Sequence, residues 1–277
     1  MSLNELWMSL ELGLIYGIVA MGIYLSFKIL DLADLTCDGS FVLGAVVSGV
    51  LLKAGYSPLL GLWIALIAGG AAGIFTGVLS TRFKISPLLS GILVAFMLYS
   101  VNLKIMGGIP NITLLNTSVP LWALMVISLG LWFLLGYLLR TDFGLALRSV
   151  GQNQSLAISN GVSITGITLF VLALSNGLIA LGGALFSQHQ GFADVGSGIG
   201  TVIIGLASVL IGERILPFRS TWVGLLNCLL GAILYRLFIS LALHSEVLGL
   251  ETQDLNLLTG LLIILVMTIP RRRLCYI

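Results

Sequence analysis

Charged side chains are scarce in this sequence, which carries 13 Lys and Arg and 11 Asp and Glu among its 277 residues. They make up 9% of the chain, whereas charged residues are about 25% of a soluble domain. Hydrophobic residues make up 58%. So few charges cannot keep a protein surface hydrated, which excludes a soluble domain and makes lipid the expected solvent. We also expect no nucleic-acid partner.

Reactive and metal-binding groups are equally sparse. The three cysteines, Cys37, Cys228 and Cys275, have neither pairing nor metal-ligand spacing, and we interpret them as small apolar residues. His189 and His244 have no cysteine or carboxylate at ligand spacing, so we expect no metal site. The sequence contains no GxSxG elbow and no GxxxxGK(S/T) phosphate loop. These absences predict a non-catalytic chain that itself binds no cofactor and no ATP.

Long hydrophobic runs are the main feature that is present, and a spanning helix needs about 20 such residues. The candidate spans are Leu6–Phe27, Phe41–Leu52, Leu59–Ser80, Pro87–Met106, Val119–Leu139, Ile164–Ser187, Gly200–Ile211, Phe218–Leu243 and Leu255–Ile269. The second and seventh runs are too short to cross as plain helices, and short glycine-flanked runs are typical of broken or re-entrant helices. Small residues at Gly69–Gly73 and Gly182–Ala184 predict close helix packing. We expect an all-α polytopic membrane bundle of about nine spans, forming one domain over residues 1–277.

Basic residues follow alternate spans. With nine spans they all fall on one side of the membrane: Lys28, Arg82, Lys84, Arg140, Arg148, Arg214, Arg219 and Arg271–Arg273. Because basic loops stay in the cytoplasm, the N-terminus is predicted outside and the C-terminus in the cytoplasm. Lys53 and Lys104 are exceptions at span ends, from which a lysine can snorkel to the interface. If one short run is re-entrant, the N-terminus moves to the cytoplasmic side.

One long polar stretch, Arg140–Ser163, interrupts the hydrophobic pattern with the sequence RTDFGLALRSVGQNQSLAISNGVS. Thr141 and Asp142 are typical helix caps, and residues 152–155 cap a second short helix that Asn160 and Gly161 end. Arg148 is expected on the exposed side. We therefore predict two short helices at the cytoplasmic face. A subunit that only carries a solute needs no such loop, whereas one gripped by a soluble partner does.

Two further segments are candidates for the translocation path. Lys28–Ser40 carries three acids between two spans, and Asp38-Gly39-Ser40 reads as a helix cap before Phe41. This segment is either a solvated turn or a turn that enters the membrane ahead of a half-helix, whose positive end then faces the path. Gln188–Gly205 is rich in glycine, including Gly196, Gly198 and Gly200, and we favour a broken helix there over an ordinary outer loop.

Asn176 is a polar residue inside the sixth span. It is a further candidate for the path, although a buried amide often serves only to hold helices together.

The polar loop resembles the cytoplasmic coupling loop of permeases in bacterial ABC importers of the branched-chain amino acid and ribose type. The matching residues are Thr141, Gly144, Arg148, Gly151, Asn153, Ala157 and Gly161, while Ser149, Ile158 and Val162 are mild departures. The segments Asp34–Ala45 and Leu174–Glu213 are also similar to that family, so the resemblance covers most of the chain. It is closest to a branch to which some aromatic amino acid solutes are ascribed.

This resemblance implies a type II ABC importer fold in a bacterial inner membrane. It also implies a second copy of the chain, two ATP-binding-cassette ATPase subunits that hold ATP and Mg, and an extracytoplasmic solute-binding protein. The matching loop residues would couple the ATPases to the permease, and the expected solute is an amino acid, aromatic or branched-chain. The alternatives are an ABC importer for a sugar or nucleoside and an ion-coupled secondary transporter. The latter needs ionisable groups within its spans, of which Arg236 is the main example here.

Overall fold

The computed structural model describes residues 3–114, 119–216, 220–243 and 255–268. Its helices, in chain order, are α1 (Leu3–Ile23), α2 (Thr36–Lys53), α3 (Pro58–Thr81), α4 (Pro87–Ile105), α5 (Leu121–Leu138), α6 (Asp142–Gln152), α7 (Gln154–Ser159), α8 (Ile164–Gln190), α9 (Thr201–Ile215), α10 (Thr221–Leu243) and α11 (Leu255–Thr268). A π-helical turn, Tyr24–Ile29, continues α1. Strand β1 (Asn111–Thr113) pairs antiparallel with β2 (Phe192–Asp194), with Ile112 opposite Ala193.

Seven helices in the described part of the chain are long and apolar enough to cross a membrane: α1 with its π-turn, α2, α3, α4, α5, α8 and α10. The two remaining predicted spans correspond to α9 and α11, which have only 15 and 14 residues. The predicted all-α polytopic membrane bundle is thus confirmed. The count of nine crossings stays a prediction.

The prediction for the second span was wrong. Phe41–Leu52 was expected to be too short to cross, but α2 begins five residues earlier, at Thr36, and has 18 residues. The helix starts there because the Asp34 carboxyl oxygen Oδ1 accepts the Thr36 amide at 2.9 Å, which satisfies a backbone N–H of the first turn. The triplet Asp38-Gly39-Ser40 therefore lies inside the helix and does not cap it.

Helix α8 lies at the centre of the bundle, where α1, α2 and α3 all pack against it. The contacts are close because glycines face backbone atoms. A Cβ at Gly44 of α2 would overlap the Ala180 carbonyl of α8, and one at Gly183 would overlap the Phe41 carbonyl. On α3, a Cβ at Gly73 would overlap the Leu172 carbonyl. The predicted close packing of small residues is confirmed.

Helices α3, α4 and α5 form the periphery of the described bundle. Many of their large apolar side chains point outward, and Trp63 and Trp122 are 66% and 70% exposed. In water such a surface would be unstable, whereas lipid solvates it. Burial of the spans follows this arrangement. In the apolar 18-residue stretch of each span, 72% of α8 is buried but only 22% of α5.

The helix ends form two opposite faces. One face, called the basic face below, carries α6 and α7 together with Lys28, Arg82, Lys84, Arg140 and Arg214. Its parts are held together by contacts: the Lys28 ammonium pairs with the Glu213 carboxylate at 2.8 Å, which joins the ends of α1 and α9. The β1–β2 pair and the α2–α3 turn lie at the other face, called the hairpin face, where Gln188 of α8 donates to Ser48 and to the Pro58 carbonyl.

Candidate functional site

Helix α6 begins as the sequence predicts. Thr141 is the N-cap residue, and its hydroxyl oxygen accepts the Gly144 amide at 3.4 Å while donating to the Leu138 carbonyl at 2.6 Å. Asn153 ends α6 and caps α7, because its side-chain oxygen accepts the Leu156 amide at 3.1 Å. One asparagine therefore sets the sharp bend between the two short helices.

Helix α7 ends at the residue predicted to end it. Gly161 adopts a left-handed φ of +78°, a conformation that glycine takes without strain, and its amide donates to the Ile158 carbonyl at 2.9 Å. Ser163 then caps α8 by accepting the Gly166 amide at 3.3 Å. The predicted two-helix loop is confirmed as an ordered unit, called the α6–α7 unit below.

Arg148 was predicted to project from this unit, and that prediction was wrong. Its side chain is half-buried and folds back, with Nε donating to the Gly144 carbonyl and Nη2 to the Leu139 carbonyl, both at 3.3 Å. Carbonyls at a helix C-terminus lack intrahelical partners and carry partial negative charge, so a guanidinium satisfies them well. Arg148 thus joins the end of α5 to α6.

Small residues bring α6 and α7 against the bundle. Gly144 faces the backbone of Leu139, and a Cβ at Gly151 would overlap the Ile29 carbonyl of the π-turn. Ala157 is fully buried in the hydrophobic cluster that contains Leu147, Val150 and Ile29. The π-turn and α6 are therefore in direct backbone contact.

The outer side of the α6–α7 unit carries three exposed aliphatic side chains among polar ones. Leu145, Leu156 and Ile158 are 54%, 55% and 61% exposed, on an otherwise polar segment of the basic face. Apolar side chains that are exposed together on short helices are typical of a surface that docks into a groove of another protein.

A cluster of polar side chains lies between α2, α3 and α8. Asn176 donates to Asp34 Oδ2 at 2.6 Å and to the Leu172 carbonyl at 3.0 Å, and its own oxygen accepts the Ser40 hydroxyl at 2.7 Å. The Thr36 and Thr76 hydroxyls lie 2.7 Å apart beside it. Every one of these side chains is buried, so the cluster joins the three helices in the way that polar groups do in membranes.

Three of the candidates for the translocation path belong to the packed interior. Ser40, Phe41 and Asn176 are fully buried, and Phe41 stacks on Tyr16 with ring centroids 5.9 Å apart. Among the described residues they do not line the cavity presented below, and Asn176 makes the helix-joining contacts described above. Asp34 was missed as their partner, although an acid two residues before the start of a helix is a recognisable capping signal.

Asp38 and the glycine segment before α9 are in direct contact, which the sequence did not predict. The Asp38 carboxyl accepts the amides of Val202 at 2.9 Å and Gly200 at 3.4 Å, so it caps α9 from another helix. Gly198 packs against the Asp38 carbonyl. Gly196 lies further out, where its amide donates to Asp194 Oδ1 at 2.6 Å. Strand β2 and a turn separate α8 from the short helix α9, and the acid expected to cap α2 caps α9 instead. The predicted broken helix near the translocation path stays a prediction.

A cavity of about 390 Å³ opens beside this cap. Asp38 and Gly198 line it together with Phe96, Tyr99 and Asn102 of α4. The α4 residues were not predicted, because their helix reads as an ordinary apolar span and its cavity-facing side depends on the packing.

Other ionisable groups lie apart from these sites. His189 and Glu11 approach within 3.3 Å near the hairpin face, and Arg236 lies 4.1 Å from the centre of the Tyr16 ring. Among the residues that the structure describes, no three His, Cys, Asp or Glu side chains are grouped to hold a metal ion. Cys37 and Cys228 are buried, and Cys275 lies outside the described residues.

Comparison with known proteins identifies the family of this chain. The family described as the permease component of branched-chain amino acid transport systems matches residues 6–267. The chain belongs to this permease family. The permease is 39% identical, over 91% of its length and 86% of the relative's, to a tyrosine transport system permease protein of Clostridioides difficile. An uncharacterized protein of Rickettsia prowazekii is 34% identical to it over 98% and 99% of the two chains.

An autoinducer 2 import system permease of Photorhabdus laumondii is 28% identical over 61% of the permease and 53% of the relative. No solved structure matches. The permease is thus an integral membrane component of an ABC importer, a class of transport system that implies an ATPase partner.

Proposed function

We propose that this permease pairs with a second copy of itself, receives an amino acid from an extracytoplasmic solute-binding protein, and is driven by two ATPase subunits that dock on the α6–α7 unit. The exposed apolar side chains Leu145, Leu156 and Ile158 carry the proposal. They lie on rigid, capped helices, so the loss of conformational entropy on docking is small.

The contacts of α6 would transmit a movement of the α6–α7 unit to the helices within the membrane. Gly151 packs on Ile29, and the chain then runs inward through residues 30–35 to Asp34, which is bonded to Asn176 of α8. Near the C-terminal end of α9, Glu213 pairs with Lys28 of the π-turn, just before residues 30–35. Closure of the ATPases would move the α6–α7 unit as a rigid body and switch the access of the path between the two copies.

The basic face is the cytoplasmic face in this proposal, with the N-terminus outside and the C-terminus inside. The grouping of Lys28, Arg82 and Arg140 with the α6–α7 unit supports this orientation, because a soluble ATPase and basic loops both belong in the cytoplasm.

The proposed solute is an amino acid, and an aromatic one before a branched-chain one. A relative that covers most of both chains is named a tyrosine transport system permease protein, whereas similarity to the autoinducer 2 permease is lower and covers 61% of this chain. A sugar-like solute is the competing candidate.

Purification of the tagged permease from its host, followed by mass spectrometry, tests the docking. We expect the wild type to retain an ATPase and a binding protein. The control variant Tyr56→Asp should retain them too, because it changes a similarly exposed side chain at the hairpin face. Leu145→Asp with Leu156→Asp should lose the ATPase, because burying each carboxylate in an apolar groove is costly. If the double variant keeps its ATPase, the docking surface is wrong.

Uptake into cells tests the solute. ATP-dependent accumulation of labelled tyrosine that leucine and ribose do not inhibit supports the proposal. Uptake that survives loss of the ATPase and follows an ion gradient would instead establish a secondary transporter.

A further inference from the structure

The outward side of α5 carries a stripe of exposed side chains that ends at a basic residue. Its members recur every three or four residues, which places them on one side of the helix: Trp122, Val126, Leu129, Phe133, Tyr137 and, just past the helix end, Arg140. Helix α5 has 18 residues, so at about 1.5 Å per residue it is about 27 Å long, close to the roughly 30 Å of a hydrocarbon core. The stripe therefore faces lipid acyl chains, and its basic end lies at the headgroup level of the basic face.

Aromatic side chains mark the same level. Trp222, in the first turn of α10, packs on α5 where a Cβ at Gly136 would overlap its ring. The Trp132 indole donates to the Trp222 carbonyl at 3.1 Å, and the Phe133 ring centroid lies 5.5 Å from that of Trp222. Tryptophan and tyrosine are enriched where a membrane meets water. Trp222 and the exposed Tyr137 thus place this end of α5 at the membrane–water boundary.

The Arg140 guanidinium is held at this boundary with its donors available. Its carbon lies 5.6 Å from the centre of the Trp222 ring, within the range of a cation–π contact. The side chain is exposed, and none of the ion pairs among the described residues involves it, although Asp142 is only two positions away. Arg148, in contrast, is already satisfied by two carbonyls. A guanidinium presents five N–H donors in a planar fork that matches a phosphate group.

We propose that α5 and the start of α10 bind an anionic phospholipid in the leaflet at the basic face, with the lipid phosphate on Arg140 and an acyl chain along Phe133 and Leu129. Charge complementarity favours an anionic lipid, because the ammonium of a zwitterionic headgroup offsets its phosphate. Thr141 caps α6 directly after Arg140, so the lipid also holds the start of the α6–α7 unit at the membrane surface. The inference depends neither on the solute nor on ATP-driven import.

Native mass spectrometry of the delipidated permease in nonionic detergent tests this site. Dioleoylphosphatidylglycerol and dioleoylphosphatidylcholine have the same acyl chains and differ in net headgroup charge. The first phosphatidylglycerol should bind about fivefold more tightly than the first phosphatidylcholine, the factor expected for one basic residue near an anionic headgroup. Glycerol 1-phosphate, which has the phosphate but no acyl chain, should not displace it. Equal affinity for the two lipids, or displacement by glycerol 1-phosphate, would overturn the proposal.

Variants connect the lipid preference to Arg140. Arg140→Gln should lower the affinity for phosphatidylglycerol to that for phosphatidylcholine, and Arg140→Lys should retain part of the preference because it keeps the charge. Arg82→Gln is the matched control, since Arg82 is exposed on the basic face at the end of α3 and the cation–ring contacts of the described residues do not involve it. An equal loss of preference in Arg82→Gln would mean diffuse attraction and would contradict a site at Arg140.

The same variant separates a lipid from a protein on this side of α5. We expect Arg140→Gln to lose the lipid preference while its oligomeric state, measured by light scattering, and its co-purifying ATPase stay unchanged. A lipid preference that persists while the oligomer dissociates would place a second copy there. A lipid preference that persists while the ATPase is lost would place the ATPase there. Either result would overturn the lipid site.

Discussion

Replacing Asn176 with leucine should destabilise the permease through the polar cluster between α2, α3 and α8. The change removes three hydrogen bonds: one to Asp34 at 2.6 Å, one to the Leu172 carbonyl and one from Ser40. It also deprives the buried Asp34 Oδ2 of the amide that satisfies it. Leucine has the same number of side-chain heavy atoms and the same branching as asparagine, so the change leaves no cavity and the cost arises from the lost hydrogen bonds.

The magnitude follows from those bonds. A hydrogen bond to an ionised group contributes about 1.5–3 kcal/mol and a neutral one about 0.5–1.5 kcal/mol. Hydrogen bonds between membrane helices average only about 0.6 kcal/mol, which lowers the estimate. We expect Asn176→Leu to lower the free energy of unfolding by about 2–4 kcal/mol.

Unfolding by SDS in mixed micelles, followed by tryptophan fluorescence, measures this loss. Asn227→Leu is the control, since within the described residues its side chain makes one hydrogen bond, to the Leu216 carbonyl, and none to an acid. This change should cost about 1 kcal/mol. Adding Asp34→Leu to Asn176→Leu should cost less than the sum of the two single changes, because the double variant leaves no unpaired acid.

Two results would refute the reasoning. One is an Asn176→Leu variant within about 0.5 kcal/mol of wild type, the scatter expected for an ordinary surface change. The other is strict additivity of the two single changes, which would mean that Asp34 and Asn176 do not stabilise each other.

Two further predictions concern glycines. Gly151→Val should preserve ATPase co-purification but reduce tyrosine uptake per ATP hydrolysed several-fold, because the added side chain displaces α6 from Ile29. Gly130→Ala is its control, since a Cβ added there meets no neighbouring atom within 4 Å. An unchanged ratio of uptake to ATP hydrolysis in Gly151→Val would contradict the proposed route from α6 into the membrane. Gly183→Val should prevent α2 from packing on α8 and abolish a monodisperse gel-filtration peak, since backbone cannot move aside as a side chain can. Gly260→Val, also without near neighbours, should leave that peak intact.

Much of the α6–α7 unit was predictable because local chemistry determines it. Thr141, Asn153 and Gly161 act through hydrogen bonds or backbone conformations that involve residues at most four positions away. Arg148 shows the limit of such reasoning. Its charge suggested an outward side chain, but the Leu139 carbonyl at the end of α5 accepts its guanidinium and holds it inward.

The candidate site was predicted less well, because its contacts join distant parts of the chain. Asp38 was recognised as a cap, but it caps α9, more than 160 residues away, while Asp34 serves α2. Asn102 was not recognised at all. A single polar residue in an apolar span has no local pattern that tells which neighbour it faces.

Composition and the length of the hydrophobic runs alone determined that this chain is a helical membrane protein. In lipid a spanning segment must satisfy its backbone hydrogen bonds internally, and a helix does so. Local capping residues likewise determined the two short helices of the basic face. Only the tertiary structure decided which polar residues are internal joints and which face a cavity. That choice depends on the rotation of each helix against its neighbours, and backbone contacts at Gly44, Gly73 and Gly183 set the rotation.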